Sequence, residues 1–198
     1  MIARLRGALI ESTFTDCVIE AGGVGYEVLI PVSTFEKLPR PGAEATLLIH
    51  TQVREDAITL YGFATASERD LFRRLIGVSG VGGKLALNIL SGMPVETFRA
   101  AVAGGDVKLL ARISGIGKRT AERLVVELKD KLGDGLGAEG APSGPDPQLD
   151  ALRDVAAALE QLGFKREAID RTLRQLAAEE GEKNAEALLR EAIRRLNF

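Results

Sequence analysis

The residues best suited to chemistry are two short glycine turns. Residues 80–84 read GVGGK and residues 115–119 read GIGKR. Each follows an apolar run and leads into a segment with helical spacing, so each is a Gly-x-Gly turn that opens a helix. Glycine admits positive φ and places no Cβ in the path of a ligand. The turn amides then face outward at a helix start, where the macrodipole favours an anion. Lys84 and Lys118 set a full positive charge beside them. Such a device suits one backbone phosphate and reads no base, giving sequence-independent affinity for nucleic acid. Two of them at a fixed offset would grip two phosphates of one duplex.

Other chemistries fail on spacing. A nucleotide-binding P-loop needs glycine five residues before its Gly-Lys pair, and Val78 and Arg112 stand there instead. His50, the only histidine, lies in the apolar run LLIHTQV with no cysteine or second histidine to build a metal site. Cys17 reads as core. No catalytic constellation, cofactor or metal is expected. Arg54, Glu55 and Asp56 separate two apolar β-rich runs and read, on composition, as a solvated turn.

The net charge of −2 hides a strong asymmetry. Residues 1–63 carry a net −3, residues 64–133 a net +5, and residues 134–198 a net −4. The positive charge lies in the stretch that holds both glycine turns, as a local polyanion site requires. A single cysteine forbids an internal disulfide and suits a reducing compartment. No apolar run has the length of a signal peptide core or a membrane span. A cytoplasmic protein without a membrane partner is expected.

The elements that must position these residues fall into segments. RLRGALI, TDCVIEA, YEVLIPV, ATLLIHTQV and AITLYGF are five short β-rich runs, the second and third joined by GGVG. Ser33 and Glu36 have the spacing of a capping box for a short helix ended by Pro39 and Pro41. Five strands and one helix predict an OB-type closed barrel over residues 1–63. From Ser67, a plausible N-cap, the pattern becomes helical through residue 132, with Asp106 capping VKLLARI and KRTAERLVVELKDKL as the longest helix. LIGVSGVGGKLALNIL aligns with LARISGIGKRTAERLV at an offset of 35 residues, an internal repeat of helix pairs. Residues 133–148, rich in Gly and Pro, predict a flexible linker. Residues 149–198 hold three amphipathic helical patterns, a unit of a size that normally docks a partner. The fold class is multi-domain α+β.

SGVGGK and SGIGKRTAERLVVELKDKL look like tandem helix-hairpin-helix motifs. With GGVGYEV, VREDAITLYGF and a detached C-terminal helical unit, the whole chain resembles the RuvA family, the Holliday-junction recognition subunits of bacterial recombination and repair. The resemblance implies a non-catalytic homotetramer that holds four-way junction DNA open and square, one or two tetramers per junction. It implies recruitment of the hexameric ATPase RuvB for branch migration, and it admits the RuvC resolvase as a further partner. DNA contacts are then expected from Gly80, Gly82, Lys84, Gly115, Gly117, Lys118, Arg119, Arg123 and Arg54.

In this family the pair matching Glu55 and Asp56 forms an acidic pin at the tetramer centre, where its charge opposes a continuous duplex. LEQLGFKREAI resembles the loop of ubiquitin-associated-type three-helix folds. Leu159, Leu162, Phe164 and Ile193 match an apolar patch for the motor subunit. One position departs from the family's pattern: Gly83 stands where proline is common, which implies a looser first hairpin. Two competing classes remain, a nuclease or glycosylase that uses the hairpins as a clamp, and a purely architectural DNA binder. The missing acidic or lysine active-site constellation argues against the first.

Overall fold

The computed structural model describes residues 1–133, 147–178 and 185–196. The chain forms two compact units, Met1–Glu139 and Gly140–Phe198. The first opens with β1 (Arg4–Ser12), β2 (Asp16–Ala21), β3 (Val24–Leu29), α1 (Val32–Phe35), β4 (Glu44–Val53) and β5 (Ile58–Phe63). The strands close a barrel in the order β1-β2-β3-β5-β4, with β4 pairing back onto β1. Only β3 and β5 pair in parallel, and their contact is the single register Leu29–Tyr61. Alternation explains closure: Leu5, Leu9, Cys17, Ile19, Val28, Leu47 and Ile49 point inward from successive strands and fill the barrel. This is the expected five-stranded OB-type barrel.

Helices follow: α2 (Ala66–Leu75), α3 (Gly83–Gly92), α4 (Val95–Ala103), α5 (Val107–Leu110) and α6 (Lys118–Gly133). The pairs α2–α3 and α5–α6 are the two hairpins of the repeat. Asp106 caps α5 as expected, its carboxylate accepting from Leu109 N–H at 2.9 Å. Two expected caps are corrected. α2 begins one residue before Ser67, with Thr65 as N-cap; Thr65 accepts from Glu68 N–H while Glu68 accepts from Thr65 N–H, a reciprocal box. Ser33 caps nothing, because α1 already starts at Val32, whose N–H donates to Ser91 Oγ, while Thr34 and Phe35 N–H donate to the Pro31 carbonyl.

Barrel and helices share one joint. Tyr61 and Phe63 of β5 belong to the helical core, where Phe72 stacks on both at 4.7 and 4.9 Å. Beside them Glu68 is buried and takes hydrogen bonds from Thr34 Oγ1 at 3.3 Å and Lys37 Nζ at 3.2 Å. Thr34, fully buried, in turn accepts from Ala64 N–H. A buried carboxylate with three donors ties α1 of the barrel to α2.

The second unit contains α7 (Pro147–Gln161), α8 (Arg166–Ala178) and α9 (Ala185–Leu196). Its core is Val155, Leu159, Ile169, Leu176, Leu188 and Ala192. α7 ends at Gly163, whose φ is 89°. There Gly163 N–H donates to the Glu160 carbonyl and Phe164 N–H to that of Leu159, the paired bonds of a glycine-terminated helix. The expected linker, 133–148, lies outside the described residues except at its ends, where Gly133 closes α6 and Pro147 opens α7.

Candidate nucleic-acid interface

Each glycine turn is held by two buried apolar residues. In the first, Val78 and Val81 are buried while Ser79, Gly80 and Gly82 are exposed. In the second, Ile113 and Ile116 are buried while Ser114, Gly115 and Gly117 are exposed. Val81 N–H donates to the Val78 carbonyl and Ile116 N–H to the Ile113 carbonyl, both at 3.0 Å. These inward bonds leave the remaining turn amides facing solvent. Gly80 and Gly115 have φ of 85° and 86°, a conformation that strains any residue with a Cβ. The repeat visible in the sequence is thus repeated in backbone geometry.

Gly82 and Gly117 are different. Gly82 has φ −90° and ψ 173°, extended backbone open to any residue, and Gly117 is not among the positive-φ glycines. A Cβ built on either would meet no atom of the protein within 4 Å. Neither conformation nor packing inside the chain requires glycine there. What it leaves is clearance in front of the first turns of α3 and α6, whose leading N–H groups no helix satisfies internally. Gly82 is the N-cap of α3 and has no side chain with which to cap it.

Lys84, Lys118 and Arg119 are exposed around these openings, so the structure brings them together with the glycines. Lys118 makes a loose 3.9 Å pair with Glu122, weak for a side chain so solvated. Arg123 is also exposed, but its Nη1 donates to the Ser79 carbonyl at 2.9 Å. Gly83 is buried at the start of α3, its open side closed by the Tyr61 ring.

Arg54, Glu55 and Asp56 lie at the end of the β4–β5 ribbon. Arg54 N–H donates to the Ala57 carbonyl at 2.8 Å, and the ribbon pairs Val53 with Ile58 just below. The tip therefore includes Ala57, and all four of its residues are exposed. Deeper in the ribbon Tyr61 OH donates to Gln52 Oε1 at 3.3 Å. Burial pushes the Tyr61 hydroxyl above its ordinary value, against a smaller downward pull from the Arg54 charge. His50 packs on Phe72 at 5.4 Å between ring centroids, and burial, aided by the Arg73 charge, holds its pKa below the usual value. Among the described residues no three His, Cys, Asp or Glu gather as metal ligands, and no helix is long and apolar enough to cross a membrane.

In the second unit Leu162 is 61% exposed, Phe164 and Ile193 are half-buried, and Leu159 is fully buried. Leu159 is thus a core residue rather than part of a surface patch. It stands one turn inside α7 on the face that meets the other helices, whereas Leu162 occupies the last position before Gly163 and turns outward.

Comparison with known proteins agrees segment by segment. Residues 1–62 match the RuvA N terminal domain, residues 72–130 the SAM-like helix-hairpin-helix tandem, and residues 150–197 the RuvA C-terminal domain. A protein of Thioalkalivibrio sulfidiphilus named Holliday junction branch migration complex subunit RuvA is 47% identical, with 98% of each chain covered. The chain belongs to the RuvA family. RuvA proteins of the same name from Halorhodospira halophila and Acidobacterium capsulatum are 48% and 52% identical, covering 98% and 85% of this chain.

Sequence reasoning missed the contacts that cross the repeat. A Cβ on Gly115 would lie 3.0 Å from Leu85 Cδ1, so α3 backs the second turn, as Arg123 of α6 backs the first. No local signal marks a contact between residues 44 apart. The Thr34–Glu68–Lys37 cluster escaped for the same reason.

Proposed function

We propose that this chain binds four-way junction DNA as a homotetramer, holds it open and square, and recruits the RuvB ATPase for branch migration. The observation that carries this reading is the clearance at Gly82 and Gly117, which leaves the helix starts open to an approaching ligand. A helix start with free amides and basic neighbours calls for an anion, and two of them in one compact unit call for a polyanion. The relatives' shared name, Holliday junction branch migration complex subunit RuvA, supplies the junction. Lys84, Lys118 and Arg119 lend charge to the two cradles. Glu55 and Asp56 act as the pin that disfavours a continuous duplex, with Arg54 steering beside them.

The proposed division of labour assigns residues 1–63 to the barrel and pin, 64–132 to DNA binding, 133–148 to a linker and 149–198 to the motor. Leu162, the most exposed of the expected apolar residues, carries the motor contact, with the half-buried Phe164 and Ile193 contributing. The RuvC resolvase and a second tetramer remain compatible with this assignment.

Gly82→Ala and Gly117→Ala test the reading, since each adds one methyl group to empty space and should leave the fold intact. Together they should lower junction affinity by roughly a hundred-fold, as expected from losing two charge-assisted contacts, with only the small drop in melting temperature that alanine at an N-cap brings. Full affinity in the double variant would refute phosphate binding by the turns. A fragment ending at Leu132 should still bind junctions and fail to stimulate RuvB, and Leu162→Ser should reproduce the second defect alone. Native mass spectrometry with and without a junction counts the protomers.

A further inference from the structure

We infer that Arg123 is a positioning residue that clamps the first glycine turn from the second hairpin; the inference rests on the phosphate-binding reading of the turns. Arg123 Nη1 donates to the Ser79 carbonyl at 2.9 Å and lies 3.3 Å from Ser79 Oγ. The same nitrogen would lie 3.6 Å from a Cβ on Gly80, so the guanidinium is seated against the turn itself. The Ser79 carbonyl and the Gly80 N–H belong to one peptide group. A cationic donor on that oxygen withdraws electron density through the amide and makes the N–H a stronger donor to an anion. It also fixes where the turn points.

The two halves of the repeat differ here. The second turn is backed by the apolar Leu85, close to Gly115. Asn88 occupies the position that corresponds to Arg123, and Ser114 the one that corresponds to Ser79. Asn88 and Ser114 line one surface depression, with no hydrogen bond joining them among the described residues. Both turns are anchored by packing in one shared core, and the first carries in addition an ionic hydrogen bond from the other hairpin. Arg123 makes the spacing of the two cradles a property of the pair.

The test is a double-mutant cycle on junction affinity in the full-length protein, measured over a range of salt concentrations. Arg123→Ala should weaken binding roughly ten-fold, the size of one hydrogen bond to a charged group, while the slope of log affinity against log salt stays unchanged. The loss should vanish in a Gly82→Ala background, where the first cradle is already blocked, and persist in a Gly117→Ala background. Without DNA, amide exchange at residues 79–82 should quicken in Arg123→Ala and stay at the wild-type rate at residues 114–117. A slope lowered by about 0.9, with equal losses in both backgrounds, would make Arg123 a direct phosphate contact and overturn the inference. So would unchanged affinity or unchanged exchange. If Gly82→Ala alone left binding intact, the phosphate reading of the turns would fail instead, a distinct result.

Discussion

At residues 78–84 and 113–119 the chain buries an apolar residue on each side of a glycine and leaves amides facing outward; at residues 54–57 it buries nothing and carries two carboxylates at the end of a two-stranded ribbon. The turns are anchored by Val78, Val81, Ile113 and Ile116, so their geometry is fixed before any ligand arrives. The tip is anchored only through Val53 and Ile58, themselves largely exposed. Attraction at short range needs donors held in place, because hydrogen bonds are directional. Repulsion needs only charge of the right sign nearby, because the Coulomb interaction falls slowly with distance. The same chain uses a rigid device for the one and a simple ribbon for the other.

The joint between these regions should show the largest effect. Glu68→Ala removes the acceptor shared by Thr34, Lys37 and Thr65 and leaves the buried Thr34 hydroxyl without its acceptor, which should cost about 3 kcal/mol of stability by denaturant unfolding. Glu68→Gln, which keeps an acceptor oxygen, should cost less. If Glu68→Ala unfolded like wild type, turns and tip would not depend on this joint for their relative placement.

Charge removal at the tip comes next. Glu55→Gln with Asp56→Asn should raise duplex affinity more than junction affinity, lowering the ratio roughly ten-fold or more in a tetramer. Competition between junction and linear duplex at one salt concentration reads this directly. A constant ratio would reduce the tip to an ordinary solvated turn.

On the attractive side, Lys118→Ala should lower the salt slope by about 0.9 with only a modest loss of affinity, because one cation among several is removed. An unchanged slope would remove Lys118 from the phosphate contacts and leave the backbone amides as the main grip.

The smallest effect concerns His50, which lies on the tip strand and packs against Phe72 of the helix leading to the first turn. Its folded pKa is depressed by burial and by Arg73. The unfolded chain therefore binds the proton more readily, so the stability from neutral His50 is complete above 6.5 and is lost as pH falls through the folded value. Wild type should lose more stability than His50→Phe between about pH 7 and about pH 5. Parallel losses would show that the imidazole titrates without coupling to the fold.

Much of this molecule is legible locally. The strands follow from period-two alternation, the repeat from its own recurrence, and the positive φ of Gly80 and Gly115 from the turn each must make. Asp106 caps its helix through a bond to Leu109 three residues on, a relation that sequence spacing carries. Thr65 was missed beside Ser67 because several residues there could cap α2, and only the buried Glu68 selects among them.

Leu159 and Leu162 look alike in sequence, and their burial differs because α7 faces the other helices with one side only. The sequence by itself determined the barrel, the paired turns, the basic middle and the acidic tip, since each arises from residues a few positions apart. Tertiary structure alone decided that Arg123 grips Ser79, that Leu85 backs Gly115 and that Thr34 and Lys37 meet Glu68. Those contacts join distant segments, and their partners are chosen by packing, which no local pattern encodes.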